Sequence, residues 1–446
     1  MWACICVSIP SPICSPSRPP VTPLGSCRCR LLLRSVLGTA LSLSRRASAE
    51  AAVESGAMRG APRRRQNGAS PSVKPKASEQ KSNAPQVCPT ETHADSFSPL
   101  RICSRLISFL KYLLLILAIP PFLNYASLQR EGSLLQPQDG QLIDIGLGQK
   151  LYLSCIGKGQ PIVIFDAPTG MSSDVWLLIQ KDVSLVTQTC IYDRAGLGFS
   201  KKSYVNEETK QEKPWAQSTT GRMVDHLHGL VKEAKLQSPF VLVGSELGAL
   251  NARFYAHIHN WEVSDLVLIN PIPEELFLED VWLQYWYKEL IPYHQIVQFS
   301  AAIGLNRMLL ITGLLQPSIT GDNVSEEFVM RQKYLLSNPA HLSTAVDEHF
   351  FINESISQVR DISHFKPLSS ATSVTVITGD HYDELLPDSL NKIMFKFQRF
   401  IARTYPSVKW IKMKGTDRRM IYRNASDVAK EIKKLINKKR VKQESQ

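Results

Sequence analysis

The body of this sequence has few cysteines, no excess of positive charge and only one long apolar run. Of the nine cysteines in the 446-residue chain, only Cys155 and Cys190 follow residue 103. No pair of Cys-x-x-Cys runs with a histidine partner occurs, so the sequence predicts neither a metal site nor a cofactor. A chain with one apolar run near membrane-spanning length is not a multi-span transporter.

The formal net charge of +12 lies in the two ends of the chain. Residues 1–100 carry +8 and residues 430–446 carry +5, which leaves −1 for the residues between them. A nucleic-acid-binding protein is expected to carry its basic patch on the folded domain. The distribution therefore argues against a nucleic-acid partner and favours a role of the basic ends in membrane topology or surface tethering.

Residues 1–100 are predicted to be a disordered, basic N-terminal region. They are rich in serine, proline, alanine and arginine, and such a composition buries too little apolar surface to offset its ordering entropy. No acidic residue precedes Glu50, which resembles a mitochondrial transit peptide. An incidental N-terminal extension, with Met58 as an alternative start, is the favoured interpretation.

Residues 106–123 are predicted to form a single transmembrane helix. At about 1.5 Å per residue this run just spans a hydrocarbon core of about 30 Å. Lys111 lies near one end, where its ammonium can reach the headgroups, and Pro120 and Pro121 are expected to end the helix. A buried core helix is the competing interpretation, but no folded domain is predicted before the run to bury it.

The flanking charges predict a lumenal or extracellular body. Arg101, Arg105 and Lys111 lie on the N-terminal side, and the positive-inside rule keeps that side in the cytosol. The predicted location is a single-pass membrane protein of the endoplasmic reticulum or secretory pathway, with a mitochondrial membrane as the alternative. Three sequons give possible N-glycosylation sites in the body: Asn323, Asn353 and Asn424.

Residues 136–446 have the pattern of an α/β domain with a mostly parallel sheet and helices on both faces. Short β-branched runs at 161–165, 187–192, 240–243, 266–269, 374–377 and 408–412 alternate with helical segments, after an opening hairpin over 141–155. The strand pattern lapses at about 273–371, which predicts a helical cap inserted between two strands. Its aromatic residues, Trp282 and Trp286 among them, either line an apolar cavity or fill the core of the cap.

Several motifs of this domain resemble the α/β-hydrolase fold superfamily. Residues 191–200 read Ile-Tyr-Asp-Arg-Ala-Gly-Leu-Gly-Phe-Ser, similar to the family's YDRxGxGxS segment, and residues 165–176 resemble its oxyanion loop. Residues 241–249 resemble the strand–turn–helix of the nucleophile elbow. The resemblance covers about 300 residues and implies this fold with a helical cap.

The catalytic positions that the resemblance implies are altered. The elbow frame, residues 244–248, keeps its glycines but has Glu246 at the nucleophile position, and Ser245 is displaced by one residue. No histidine follows His381, and Arg419 stands where the family has its base. Arginine stays protonated in proteins and cannot serve as a general base at neutral pH.

Of the two remaining catalytic elements, the acid position is retained and the oxyanion loop is altered. The acid position is retained in Asp380 or Asp383, with Asp383 favoured by its spacing from Gly379. Pro168 stands in the oxyanion loop where relatives have glycine, and proline has no backbone N–H to offer an oxyanion. The sequence therefore predicts a degenerate triad with no functional catalytic residue.

The resulting hypothesis is a membrane-anchored, non-catalytic protein with a binding or scaffolding role, with a lipid or other apolar molecule as a possible ligand. The alternative is an active hydrolase of ester, lipid or epoxide type that uses Glu246 as a carboxylate nucleophile or a relocated dyad such as one with His381. If the loops align as expected, Arg419 lies between Glu246 and Asp383 in an ion network. The competing interpretation is that Arg419 points to solvent.

Overall fold

The computed structural model describes residues 99–146, 148–203, 217–319, 324–405 and 407–444. The predicted disordered region lies outside them, except that residues 99 and 100 begin a helix, and the sequon residue Asn323 also lies outside. In these ranges the chain folds into an eight-stranded sheet with helices on both faces.

The strands occur where the β-branched runs predict them. They are β1 (Gly140–Asp144), β2 (Lys150–Ile156), β3 (Ile162–Asp166), β4 (Thr189–Tyr192), β5 (Phe240–Ser245), β6 (Val263–Ile269), β7 (Ser373–Thr378) and β8 (Val408–Lys412). The spatial order is β1-β2-β4-β3-β5-β6-β7-β8. Strand β2 pairs antiparallel with both β1 and β4, and all other neighbours are parallel.

The helices, in chain order, are α1 (Pro99–Leu134), α2 (Leu177–Val183), α3 (Thr220–Glu233), α4 (Leu247–Ile258), α5 (Asp280–Tyr285), α6 (Ile291–Ala302), α7 (Leu305–Ile311), α8 (Glu326–Ser337), α9 (Pro339–Phe350), α10 (Ile352–Phe365), α11 (Asp388–Thr404), α12 (Met420–Arg423) and α13 (Ala425–Glu444). Helices α5 to α10 lie between β6 and β7, in the segment predicted to form a cap. A π-helical turn, Trp286–Leu290, joins α5 to α6.

The central parallel strand β3 is buried on both faces, because each face of the sheet is covered there by helices. Successive residues of β3 show this: Ile162 and Ile164 pack against α3, α4 and α11, whereas Val163 and Phe165 pack against α2 and α13. The two cores hold the strand ends rigidly, so the loops at the carboxyl edge of the sheet have a fixed frame.

Among the residues that the structure describes, one helix is long and apolar enough to cross a membrane, with its candidate span at Leu106–Leu134. The expectation that Pro120 and Pro121 end this helix is wrong, because α1 continues to Leu134. Each proline removes one backbone donor, but contacts beyond them hold the helix: the buried Asn124 side chain donates to the carbonyls of Ala301 and Ser337, both at 3.0 Å. Tertiary packing therefore overrides the local signal.

Strands β2 and β4 are joined by a disulfide between Cys155 and Cys190. The two residues are directly opposed in the antiparallel register. These are the two cysteines that follow residue 103, so the body of the protein carries one covalent cross-link at this pair of strands.

Candidate functional site

The turn between β5 and α4 has the geometry of a nucleophile elbow, with Glu246 at its apex. Glu246 has φ 50° and ψ −112°, a conformation that is costly for a residue with a side chain. The flanking glycines make the turn possible. A Cβ on Gly248 would collide with the backbone carbonyls of Asp166 and Ala167, and one on Gly244 would collide with the backbone of Gly248.

The Glu246 carboxylate is buried and faces an arginine, but the arginine is not the predicted one. Arg418 Nη1 lies 3.4 Å from Glu246 Oε1, so the prediction of a contact between Arg419 and Glu246 is wrong by one residue. The reason is local. Arg419 folds back onto Asp417, with Nη2 at 2.6 Å from Asp417 Oδ2, and so leaves Arg418 to face the elbow.

Asp383, the residue favoured for the acid position, lies beside both Arg418 and the predicted Arg419. Its carboxylate accepts from Arg418 Nε at 2.6 Å and from Arg419 Nη2 at 3.2 Å. The alternative acid, Asp380, lies away from the elbow: it accepts from the Gly415 N–H and pairs with Lys412, and these contacts lower the pKa of its carboxyl group.

Together these side chains form an elbow ion cluster, defined as Glu246, Asp383, Asp417, Arg418 and Arg419. Burial acts to lower the pKa of Arg418, but the charge of Glu246, followed by Tyr382 and Asp383, raises it above its ordinary value. Burial acts to raise the pKa of Asp417, and hydrogen bonds from Arg419 hold it below its ordinary value. The carboxylates around Arg418 and Arg419 raise the pKa of both arginines above its ordinary value, so neither can accept a proton at the base position.

Two histidines of the cap, which sequence reasoning missed, lie near Arg418. The rings of His294 on α6 and His349 on α9 stack with centroids 4.3 Å apart. Burial, followed by the charge of Arg418, lowers the pKa of His294 to about 4. Their helices were expected in the cap, but the helical pattern does not say which side chains face the elbow. His381, the histidine considered for a relocated dyad, is exposed.

The oxyanion loop is fixed from the other side by a buried arginine. Arg194 donates to Asp166 Oδ1 at 2.6 Å and to Glu348 Oε1 at 2.7 Å, and this trio is called the Arg194 latch below. Arg194 also donates to the carbonyls of Ala167 and Pro168. Because Asp166 is the last residue of β3 and Glu348 lies on α9, the latch connects the sheet to the cap.

The latch also occupies a backbone hydrogen-bond donor of the oxyanion loop. Pro168 has no N–H, and the N–H of Gly170 donates to Glu348 Oε2 at 2.7 Å. A carboxylate therefore occupies a donor that could otherwise face a developing negative charge. Sequence reasoning identified Pro168 but missed Glu348, because its distance along the chain from Arg194 gives no pairing signal.

In the described part of the chain, one group of side chains has the composition of a metal site: His228, His259 and Glu262. The two imidazole rings are nearly parallel, 7° apart, with centroids 3.8 Å apart. Ring-nitrogen lone pairs lie in the ring planes, so those of stacked rings run side by side instead of converging on one ion. Glu262 also accepts a hydrogen bond from the Tyr255 hydroxyl. The arrangement is that of a packed aromatic pair.

Comparison with known proteins identifies the fold. A family model described as alpha/beta hydrolase fold matches residues 160–297. The Cif epoxide hydrolase from Acinetobacter nosocomialis aligns with a TM-score of 0.52 at 15% identity, over 70% of this chain and 95% of that chain. The chain is an α/β-hydrolase-fold protein. Cfl2 from Burkholderia cenocepacia is also similar to this α/β-hydrolase-fold protein, with a TM-score of 0.50 at 14% identity over 68% of this chain and 98% of that chain.

Relatives in sequence are similar over part of the α/β-hydrolase-fold protein. An uncharacterized vacuolar membrane protein of Saccharomyces cerevisiae is 26% identical over 156 residues, which is 31% of this chain and 22% of the yeast protein. The uncharacterized protein YqjL of Bacillus subtilis is 27% identical over 130 residues, 27% of this chain and 47% of YqjL. The matches span less than half of either relative.

Proposed function

We propose that this α/β-hydrolase-fold protein is a membrane-anchored, non-catalytic protein with a binding or scaffolding role. The observation that carries the proposal is the Glu246–Arg418 contact at the apex of the elbow. A nucleophile must be free to attack, whereas the Glu246 carboxylate is buried against a guanidinium that is itself bound to Asp383. The strained turn is retained, but it holds an ion pair.

Two further features support the loss of hydrolytic chemistry. General-base catalysis needs a group that can accept a proton near neutral pH. An arginine stabilised by two carboxylates stays protonated and cannot accept one. Oxyanion stabilisation needs free, preorganised donors, and the Gly170 N–H is bound to Glu348. Both requirements of acyl transfer are compromised by side chains of this chain.

The proposed ligand class is a lipid or another apolar molecule, since the anchor keeps the body close to a bilayer. The cap tryptophans do not offer a cavity for it. Trp282 and Trp286 are buried in an apolar cluster that the cap forms with α4 and α11, and their indole N–H groups donate to the carbonyls of Leu390 and His349. A cavity of about 710 Å³ beside the end of α1 has a size suited to a small ligand, and its walls combine apolar side chains such as Leu177 and Phe328 with charged ones such as Arg331.

A serine-directed fluorophosphonate probe tests the absence of a nucleophile. Ser245 is fully buried at the end of β5, so we expect no labelling of the purified chain, while an added active serine hydrolase is labelled in the same tube. Labelling at Ser245 would refute the proposal. A carboxylate nucleophile escapes this probe, so the chain is also incubated with ester and epoxide substrates. A covalent ester on Glu246, detected by mass spectrometry, would establish the alternative of an active hydrolase.

For the location, we propose a single-pass protein of the endoplasmic reticulum or secretory pathway with a lumenal body. The Cys155–Cys190 disulfide supports an oxidising compartment. Asn353 is exposed and Asn424 is half-buried, so both sequons are available on the body. The yeast relative's name includes a vacuolar membrane, which agrees with a membrane of that pathway. A mitochondrial membrane is the alternative.

A further inference from the structure

Helices α6 and α7 of the cap expose one continuous row of large apolar side chains. The row follows a spacing of three residues along each helix, which keeps its members on one face. Its members, called the apolar cap face below, are Tyr293, Ile296, Phe299, Leu305, Met308 and Ile311. Each is 42–78% exposed, although a soluble surface helix normally presents polar side chains to water.

The segment around this face is almost free of charge. Residues 291–319 contain one Lys, Arg, Asp or Glu side chain, Arg307. Arg307 is turned to α1, where it forms a bidentate pair with Glu131 at 2.7 and 2.8 Å and donates to Asn124 at 2.8 Å. The cation is therefore neutralised inside the contact, and the apolar cap face carries no formal charge. An uncharged apolar surface of this kind is more stable in contact with lipid than in contact with water.

The apolar cap face is continuous with the membrane-spanning helix. The turn between α6 and α7, at Gly304, lies against α1 so closely that a Cβ on Gly304 would collide with the Pro120 carbonyl. Beyond this contact α1 is held against the cap by Asn124 and Glu131. On both sides of it, apolar side chains of α1 are exposed, such as Leu115 before the contact and Phe122 after it.

A length argument places this contact at the edge of the bilayer. Twenty helical residues span about 30 Å, the thickness of a hydrocarbon core. Counted from Leu106, where the candidate span begins, they end at Tyr125. The contact of Pro120 with Gly304 thus falls inside the last turns of the span. Phe299 precedes Gly304 and Leu305 follows it. Both side chains therefore lie at the depth of the acyl chains or the headgroup boundary.

We propose that the apolar cap face is a second membrane contact, which inserts into the leaflet beside the transmembrane helix. The proposal rests on the anchor in the proposed function and adds a cap that lies partly in the lipid. The partner is a bilayer, because the face is uncharged, is exposed, and continues the lipid-facing surface of α1. This is the arrangement of an interfacial helix, in which an apolar face enters the boundary by about 5–10 Å.

Photocrosslinking of the full chain in phosphatidylcholine nanodiscs tests this contact. The photoreactive residue p-benzoylphenylalanine replaces one phenylalanine at a time: Phe299 on the apolar cap face, Phe122 on the span, and Phe365 as the matched control. All three are more than 60% exposed, so the fold does not depend on them. Phe365 is the last residue of α10. The next residue, Lys366, donates from its ammonium group to the carbonyl of Ile258 at the C-terminal end of α4, away from the elbow. Lipid adducts are read by mass spectrometry of the digested chain.

We expect adducts at positions 122 and 299 in comparable yield and none above background at 365. An adduct at 122 without one at 299 overturns the second contact and leaves the anchor intact. No adduct at 122 refutes the anchor, and the second contact with it. A crosslink from 299 to a second copy of the chain overturns the proposal in favour of a dimer interface. Equal yields at 299 and 365 also overturn it, since lipid then shows no preference for this face.

Discussion

At the scale of single residues, the site is defined by which side chain faces the elbow. Glu246 is 3% exposed, and an isolated carboxylate is costly to bury. Arg418 supplies the countercharge, and its own side chain remains 37% exposed. Solvent therefore screens part of the pair, which limits its contribution to stability.

Replacement of Arg418 tests the elbow ion cluster. Arg418→Met leaves Glu246 and Asp383 without their shared cation, and we expect the free energy of unfolding to fall by about 1–3 kcal/mol, discounted for the solvent exposure of Arg418. The measurement is the urea midpoint of the purified chain in detergent micelles. Arg423→Met is the matched control, because Arg423 is half-exposed and pairs with Glu384 at 3.5 Å.

The control variant, Arg423→Met, is expected to change the free energy of unfolding by less than about 0.5 kcal/mol. Adding Glu246→Gln to Arg418→Met removes the unpaired charge, so the double variant should be more stable than Arg418→Met alone. Equal midpoints for Arg418→Met and Arg423→Met would show that the cluster does not stabilise the fold.

The sequence predicts the members of this site better than their contacts. The glycines around Glu246 identify the elbow, and the spacing from Gly379 identifies Asp383. The choice between Arg418 and Arg419 depends on how Asp417 folds the loop, and neighbouring positions of a loop carry no periodic signal. His294, His349 and Glu348 face the site from the cap, whose orientation over the sheet depends on tertiary packing.

At the scale of elements, the Arg194 latch joins β3, the oxyanion loop and α9. Arg194 and Glu348 are each 3% exposed or less, so water cannot replace a lost partner. We expect Arg194→Met to lower the free energy of unfolding by about 3–5 kcal/mol, because two buried carboxylates lose the cation that they share. Lys396→Met is the control, since the exposed Lys396–Glu279 pair also joins the cap to the core. A control effect as large as that of Arg194→Met would contradict the role of burial.

The docking of α1 on the cap gives a second test at this scale. Asn124→Ala removes two donors to the carbonyls of Ala301 and Ser337, and we expect a loss of about 1–3 kcal/mol. Hydrogen exchange of backbone amides in residues 124–134 should increase. Gln129→Ala, an exposed position on the same helix, should leave exchange unchanged. Unchanged exchange in Asn124→Ala would show that other contacts hold the helix.

Helix α1 also shows where local sequence signals fail. Two consecutive prolines predict an end at Pro120, and by itself the sequence offers no reason to continue. The reason lies about 180 residues later in Ala301 and Arg307, which bind Asn124. By contrast, each of the eight strands is predicted within a few residues. For the central strands the reason is that a strand buried on both faces must be apolar along its length.

At the scale of the whole molecule, the cap histidines make stability depend on pH. Burial lowers the pKa of His341 to about 4, and burial likewise lowers those of His294 and His349. Between pH 6.5 and about 4 these groups take up protons in the unfolded chain but not in the folded one. Stability is therefore lost as the pH falls through this window.

His341→Gln tests this dependence. Glutamine can still accept the hydrogen bond from the Gly198 N–H. The variant should lose less stability than the wild type on acidification from pH 7 to about 4, by about 2–3 kcal/mol. Urea midpoints at both pH values measure the difference, with the exposed His381→Gln as control. Burial raises the pKa of Asp174 to about 6, which acts in the opposite sense, so the comparison between variants decides the result.

The topology is tested by glycosylation. If the body is lumenal, treatment with an N-glycosidase should increase its gel mobility, and Asn353→Gln should remove part of that shift, since Asn353 is exposed. Protease added to intact microsomes should spare the body. Complete digestion without any mobility shift would reverse the orientation, and cleavage of the leader on mitochondrial import would support the alternative location.

The contacts of Asn124 and Glu131 with the cap also fix how the protein moves. A body on a flexible tether tumbles freely and presents every side to its surroundings. Here the last turns of α1 are part of the cap packing, so with α1 as the proposed anchor, helix and body would rotate in the plane of the bilayer as one unit. The height and tilt of the elbow above the lipid would then be constant, and a partner from the aqueous phase would approach only the faces that point away from the membrane.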